Sequence, residues 1–239
     1  MMKRNILITL VFTMALIMNC EAQLIKDLKK MVQPSSSGKL TEEEAASGIR
    51  EALIKGTTTG VETVSKLDGY FKNPEIKIPF PPEAKEIEQK LRAIGLGNKV
   101  DEAVLSINRA AEDAAVEAKP IFISAIKNLT LRDVFNIVKG EKDEATRYLK
   151  NNTTQQLTVQ FRPKIETSLE KVDATKYWDD VITSYNKIPF VKKMNPDLAE
   201  YVTEKAIEGL FVMIAREEEN IRKNPAARTT ELLRKVFGN

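Results

Sequence analysis

Two groups of polar residues in this sequence have types and spacing that could do chemistry. In the first group, Asn108, Arg109 and Glu112 bring an amide, a guanidinium and a carboxylate together in a stretch otherwise rich in alanine. Such a set could hold a polar ligand, so we take all three residues as ligand-binding candidates. An Arg and a Glu three positions apart on an Ala-rich helix have a plainer interpretation as a buried structural pair, and that interpretation is favoured.

The second group lies toward the C-terminal end. Glu218 is the middle of three consecutive glutamates, and Lys205, Arg222 and Arg228 are the basic residues grouped with it. These side chains could bind a cation or a phosphate. Neighbouring carboxylates on a helix point in different directions, however, so a solvated, ion-paired helix end is the favoured interpretation. Tyr201 completes the set of ligand-binding candidates.

The residue types that are missing narrow the chemistry further. Histidine is absent and Cys20 is the single cysteine. This excludes His-based general bases, Ser-His-Asp triads and most zinc, copper and haem sites. The sequence has no Gly-rich phosphate loop, EF-hand spacing or metal-ligand pair. We therefore predict no catalytic residue, no metal site and no cofactor.

The N-terminus has the pattern of an export signal. Lys3 and Arg4 precede an uncharged, mostly apolar run at 6–18, which is too short to span a bilayer. We predict a signal peptide over residues 1–19. The less favoured alternative is a buried N-terminal helix of the fold.

The position of Cys20 favours a signal of the lipoprotein type. Residues 16–20 resemble a loose lipobox, in which the cysteine is acylated and becomes the first residue of the mature protein. Cys20 is therefore the predicted lipidation site, and the membrane is the predicted partner through this anchor. The alternative is cleavage after Ala22, which would give a soluble periplasmic or secreted protein.

The rest of the chain divides into a tether and a domain. Residues 20–40 are predicted to be a flexible tether, and residues 41–239 a single helical domain. The chain carries 37 Lys and Arg against 34 Asp and Glu, and loss of Lys3 and Arg4 with the signal leaves 35 against 34. Because the charges are interleaved without a basic block, we predict no nucleic-acid partner.

Hydrophobic periodicity predicts an all-α fold for this domain. We expect a single compact bundle of about nine to ten helices around a central apolar helix near 197–222. Separate helices are predicted at 141–151, 153–171, 174–187 and 226–237 among others.

Two features interrupt the helical pattern. A short extended Pro-rich segment is predicted near 74–82, where four prolines forbid a helix and Ile76 and Ile78 alternate with polar residues. Gly56 and Gly60 indicate a hinge or a close helix contact. A locally poor helix held by its packing is the favoured interpretation.

Several longer motifs run through the predicted domain: Asn73–Pro79, Asn108–Glu112 with Ala118–Pro120, Tyr201–Ala206 with Gly209–Phe211, Asn224–Ala226, and Arg228–Thr229. Together they resemble the motifs of a known family, the bacterial "domain of unknown function 4197". The resemblance covers roughly residues 42–238. It implies a helical domain, usually behind a signal peptide, with no assigned activity and no functional residues to transfer.

The sequence leaves three functions open, because no motif points to a reaction or a ligand. The first is a non-enzymatic, exported cell-envelope protein, an interaction or scaffold module tethered to a membrane and bound to another envelope protein. The alternative is a carrier of an apolar ligand, such as a lipid or acyl chain, in a closed cavity of several hundred Å³ between Ala-lined helices. A distant third is a His-free hydrolase that uses carboxylates.

Overall fold

The computed structural model describes residues 42–171 and 197–224, together with the single residues 178, 186, 187, 189, 190, 193 and 195. Among these residues no strand occurs, and the helices belong to one compact unit, which confirms the all-α prediction. The helices are α1 (Glu42–Val64), α2 (Lys85–Ala93), α3 (Gly97–Ala115), α4 (Ala118–Lys127), α5 (Leu131–Lys139), α6 (Glu144–Glu170) and α7 (Leu198–Lys223), with a 3₁₀ turn at Pro82–Ala84.

The described residues form seven helices rather than nine to ten. One prediction was wrong: the helices expected at 141–151 and 153–171 are the single helix α6. Its polar centre stays helical because the hydroxyls of Thr153 and Thr154 donate back to carbonyls one turn earlier. A buried apolar row also runs along its length. The predicted helices at 174–187 and 226–237 lie largely or wholly outside the described residues.

Helix α7 corresponds to the apolar helix predicted near 197–222. It packs against α1, α3 and α6. Its buried side chains recur at the spacing of a helix and come from more than one face, which is why several helices can surround it. They include Val202, Ala206, Leu210, Phe211, Ile214 and Ile221.

Close contact between α1 and α7 depends on two glycines. Helix α1 runs unbroken through Gly56 and Gly60. A Cβ at Gly56 would lie 3.3 Å from Cδ1 of Ile221, and one at Gly60 would lie 3.3 Å from Cγ1 and 3.6 Å from the backbone nitrogen of Ile214. The glycines therefore mark a close helix crossing, and tertiary packing supports a stretch with weak helix propensity.

Residues 65–81, which we call the strap, connect α1 to the 3₁₀ turn. Ile76 and Ile78 are buried while Lys77 between them is exposed, in agreement with the predicted alternation. The extended part is shorter than predicted, because the amides of Ile76 and Lys77 both donate to the carbonyl of Asn73 and close a turn there. The extended part of the strap is therefore limited to residues 77–81.

None of the helices in the described ranges combines the length and the apolar composition needed to cross a bilayer.

Candidate functional site

The first predicted group, on α3, holds the strap against the helices. Asn108 is fully buried, and its Oδ1 accepts a hydrogen bond from the amide of Ile78 at 2.9 Å. Its Nδ2 donates to the carbonyl of Ile78 at 2.8 Å and to that of Val104, within α3, at 2.7 Å. An amide side chain offers both a donor and an acceptor, so it satisfies both backbone groups of one strap residue.

Glu112 fixes the beginning of the strap. Its Oε1 accepts from the amides of Tyr70 and Phe71, at 3.0 and 3.2 Å, and its Oε2 accepts from Nη1 of Arg109 at 2.6 Å. Nη2 of Arg109 donates to Asp68 at 2.7 Å. Glu112 is only 4 % exposed, so the guanidinium and two amides replace the water that an isolated carboxylate would require.

The charges of this cluster stabilise one another. Hydrogen bonds from Lys72 and Arg109 hold the pKa of Asp68 below its ordinary value. Burial alone would lower the pKa of Arg109, but its hydrogen bonds to Glu112 and Asp68 raise it above the ordinary value. The cluster is therefore a charged network in which Arg109 lies between two carboxylates.

Tyr70 attaches the strap to α7 as well. Its hydroxyl donates to the carbonyl of Ala206 at 2.6 Å, and the side chain is fully buried. A Cβ at Gly209 would lie 2.8 Å from Cε1 of Tyr70 and 3.1 Å from Cβ of Ile76, so the ring occupies space that only a glycine leaves open. Burial, with the nearby charge of Glu112, raises the pKa of Tyr70.

The second predicted group, on α7, caps another helix. Glu218 is 8 % exposed; its Oε1 accepts from the amide of Ala145 at 3.1 Å, and its Oε2 accepts from the amide and hydroxyl of Thr146 at 2.9 and 2.8 Å. These amides belong to the first turn of α6, whose N-cap residue Asp143 makes no side-chain cap of its own. Glu218 thus supplies both hydrogen-bond acceptors and a negative charge to the positive end of α6.

Arg222 completes this arrangement, which we call the α6 clamp (Glu218, Arg222, Ala145 and Thr146). Its Nη2 donates to Glu218 at 2.7 Å and to the carbonyl of Ile137, near the C-terminal end of α5, at 2.9 Å. The two charged side chains are 18 % and 7 % exposed. One ion pair on α7 therefore joins the end of α5 to the beginning of α6.

The remaining candidates lie elsewhere or outside the described residues. Lys205 forms an exposed pair with Glu208 at 2.6 Å. Tyr201 is half-buried, and its hydroxyl donates to the carbonyl of Pro79 in the strap at 3.3 Å. Cys20 and Arg228 lie outside the described residues.

The structure therefore divides the predicted set into two clusters rather than one site. Asn108, Arg109 and Glu112 act together on the strap, and Glu218 and Arg222 act together on α6. Sequence reasoning missed three of their partners, Asp68, Tyr70 and Thr146. Asp68 lies four residues after the end of α1 and has a positive φ of 68°, a conformation in which Asp and Asn are enriched, but this φ is visible only in the structure.

A small cavity adjoins the α6 clamp. Its volume is about 30 Å³, enough for a water molecule but far below the several hundred Å³ of a small-molecule pocket. Its apolar lining includes Ile49, Leu53, Ile137, Ile214 and Ile221. Such a cavity offers no space for an acyl chain.

The described part of the chain contains no group of three or more His, Cys, Asp or Glu side chains placed to hold a metal ion. Most of its buried polar side chains, including those of Asn108, Glu112, Thr153 and Glu218, form hydrogen bonds with backbone groups of the same chain. Together these features define the protein as an all-α domain with two internal polar clusters, one on the strap and one at the beginning of α6.

The comparison with known families agrees with the resemblance seen in the sequence. The model of the family described as "Protein of unknown function (DUF4197)" matches residues 39–238, and the chain belongs to this family. No curated protein and no solved structure matches the chain.

Proposed function

We propose that this protein is a non-enzymatic, exported cell-envelope protein, an interaction or scaffold module that is tethered to a membrane through an acylated Cys20. The apolar run at 6–18 and the position of the single cysteine support export and lipidation. In this proposal the helical domain binds another envelope protein, while the tether keeps it at the membrane surface.

One observation carries the non-enzymatic part of the proposal: the polar residues best suited to chemistry are occupied within the protein. Asn108, Glu112 and Glu218 are buried and bind backbone amides or carbonyls, and Arg109 and Arg222 are paired with those glutamates. A catalytic acid or nucleophile needs access to a substrate. Groups held in this way stabilise the fold and are poorly placed to react.

The carrier of an apolar ligand has less support. It predicts a ligand between Ala-lined helices, but the alanine face of α3 is closed by its neighbours. Ala110, Ala111, Ala114 and Ala115 are all 0 % exposed, and the cavity beside the α6 clamp is about 30 Å³.

Fractionation of host cells, combined with intact mass measurement, tests the anchor. We expect a diacyl or triacyl mass on the mature N-terminus and recovery of the protein in the membrane fraction. Globomycin or Cys20→Ser should block processing. Unaltered processing and fractionation under both treatments would exclude lipidation at Cys20.

Cross-linking in intact cells tests the interaction module. We expect reproducible cross-linked species that contain a second envelope protein and persist at low cross-linker concentration. Recovery of the monomer alone would contradict the module. A further mass lost on denaturation in native mass spectrometry would favour the carrier instead.

A further inference from the structure

Helix α5 exposes an apolar strip beside its buried face. Val134 and Ile137 are buried in the core, whereas Leu131, Phe135 and Val138 are 43 %, 57 % and 41 % exposed. The exposed three lie at positions i, i+4 and i+7, so they form one continuous row along the helix. The domain therefore presents to solvent three large apolar side chains that its own core does not use.

Basic side chains border this strip. Nζ of Lys139 lies 4.3 Å from the ring centroid of Phe135. Arg132 and Lys139 are both exposed and form no ion pair with any residue in the described ranges. Asp133, the one acidic residue of α5, is engaged in the capping box with Thr130. Helix α5 thus carries two cations, Arg132 and Lys139, against the single carboxylate of Asp133, a net charge of +1. Apolar side chains bordered by basic ones are the composition of a helix that lies at an anionic membrane surface.

The size of the strip favours a membrane over a protein partner. The three side chains offer on the order of 250 Å² of apolar surface, whereas a stable protein–protein interface buries about 800 Å² on each partner. A single convex helix also gives a partner little to enclose. Insertion of a few apolar side chains into a bilayer, in addition to a lipid anchor, is typical of a peripheral membrane contact.

The chain enters the domain close to α5. Nη2 of Arg50 in α1 donates to the carbonyl of Leu129, two residues before α5 begins, at 2.7 Å. Helix α1 begins at Glu42, about 12 Å further along its axis at 1.5 Å per residue. A tether that holds Glu42 near a membrane would therefore hold the start of α5 near it too; this step rests on the proposed function, whereas the strip and its charges do not.

We propose that α5 is a membrane-contacting helix, in which Leu131, Phe135 and Val138 insert at the surface of an anionic phospholipid bilayer and Arg132 and Lys139 bind the headgroups. This contact orients the domain at the membrane and leaves its other faces available for binding another envelope protein.

Fluorescence quenching by lipid tests this proposal on the processed, full-length gene product. One variant carries a label at Val138→Cys and the matched control at Val159→Cys, a valine that is 63 % exposed on α6. Vesicles contain phosphatidylcholine and phosphatidylglycerol, with brominated acyl chains as quenchers. We expect quenching at 138 to exceed that at 159 by at least about threefold, since only the inserted face reaches the acyl chains. Arg132→Gln combined with Lys139→Gln should reduce the quenching at 138 to the level of the control.

The quenching test does not depend on whether Cys20 is acylated. If intact mass shows no acyl group, the same labelled proteins are added to the vesicles from solution and the same difference between positions is expected. Equal quenching at 138 and 159, or none at either, would overturn the proposal. A photo-cross-linker at 138 that captures a protein or a second copy while lipid quenching is absent would overturn it in favour of a protein partner.

Discussion

Glu218→Ala is the substitution that tests the α6 clamp most directly. The change removes the only side-chain acceptor for the amides of Ala145 and Thr146 among the described residues, and it leaves Arg222 without its carboxylate. Asp143 cannot take over as a local cap in its present conformation, since its side chain makes no cap hydrogen bond. Both α6 and its connection to α5 are therefore expected to loosen.

The expected loss of stability follows from the burial of the pair. Breaking a buried ion pair by removing one partner costs about 3–5 kcal/mol, because the remaining charge is left uncompensated. The side chain of Arg222 is 18 % exposed, so water can partly rehydrate it, and the lower end of this range applies. We expect Glu218→Ala to reduce the free energy of unfolding by about 3 kcal/mol. Glu218→Gln keeps one acceptor and should cost about 1–2 kcal/mol.

Urea unfolding followed by circular dichroism measures these differences. The matched control is Glu219→Ala, which removes a neighbouring carboxylate whose pair with Lys223 lies at the surface. We expect its unfolding midpoint to stay at the wild-type value. If Glu218→Ala and Glu219→Ala shift the midpoint equally, Glu218 does not cap α6 and the reasoning fails.

Three further predictions concern the strap. Asn108→Ala leaves the amide and carbonyl of Ile78 without partners and should cost about 2–4 kcal/mol in urea unfolding; a loss below about 1 kcal/mol would show that Asn108 does not hold the strap. Gly209→Ala, which elsewhere in a helix would be stabilising, should lower the thermal midpoint because the new methyl group meets the ring of Tyr70 at 2.8 Å; an unchanged or raised midpoint would show that the ring can move. Because the pKa of Tyr70 is raised in the folded state, its contribution is complete below pH 10 and is lost as the pH rises above it. Tyr70→Phe should therefore reduce the decrease in stability at alkaline pH. If stability decreases as steeply above pH 10 in this variant as in the wild type, Tyr70 is not responsible for the decrease.

Much of the fold follows from local patterns in the sequence. The apolar stretch in α7 and the alternation of Ile76 and Ile78 each reflect burial that the residue types themselves require. The break expected within 141–171 was wrong for a local reason as well: Asn and Thr are weak helix formers on average. In α6 the hydroxyl of Thr153 bonds back to the helix and the buried row on either side keeps it continuous.

The polar clusters were less accessible to sequence reasoning because their partners are distant in the chain. Glu218 caps amides more than 70 residues away, whereas Asp143, the local N-cap residue of α6 and of a type that often caps helices, makes no side-chain cap hydrogen bond. Glu112 accepts from Tyr70 across 42 positions. Sequence spacing could indicate that Arg109 and Glu112 form a pair, but the residues that the pair holds depend on how the helices pack.

The buried polar clusters and the exposed apolar strip on α5 should respond to mutation in opposite ways. Asn108 and Glu218 form their hydrogen bonds within the protein. Substituting either residue should therefore reduce the stability of the fold, and it should affect binding to a partner only if the fold is lost. Phe135 is 57 % exposed and does not belong to the hydrophobic core cluster, so Phe135→Ser should leave stability close to wild type while changing contact with lipid. If Phe135→Ser lowers the unfolding midpoint in urea, α5 depends on this ring for packing. The exposed strip could then not be interpreted as a membrane-contacting surface.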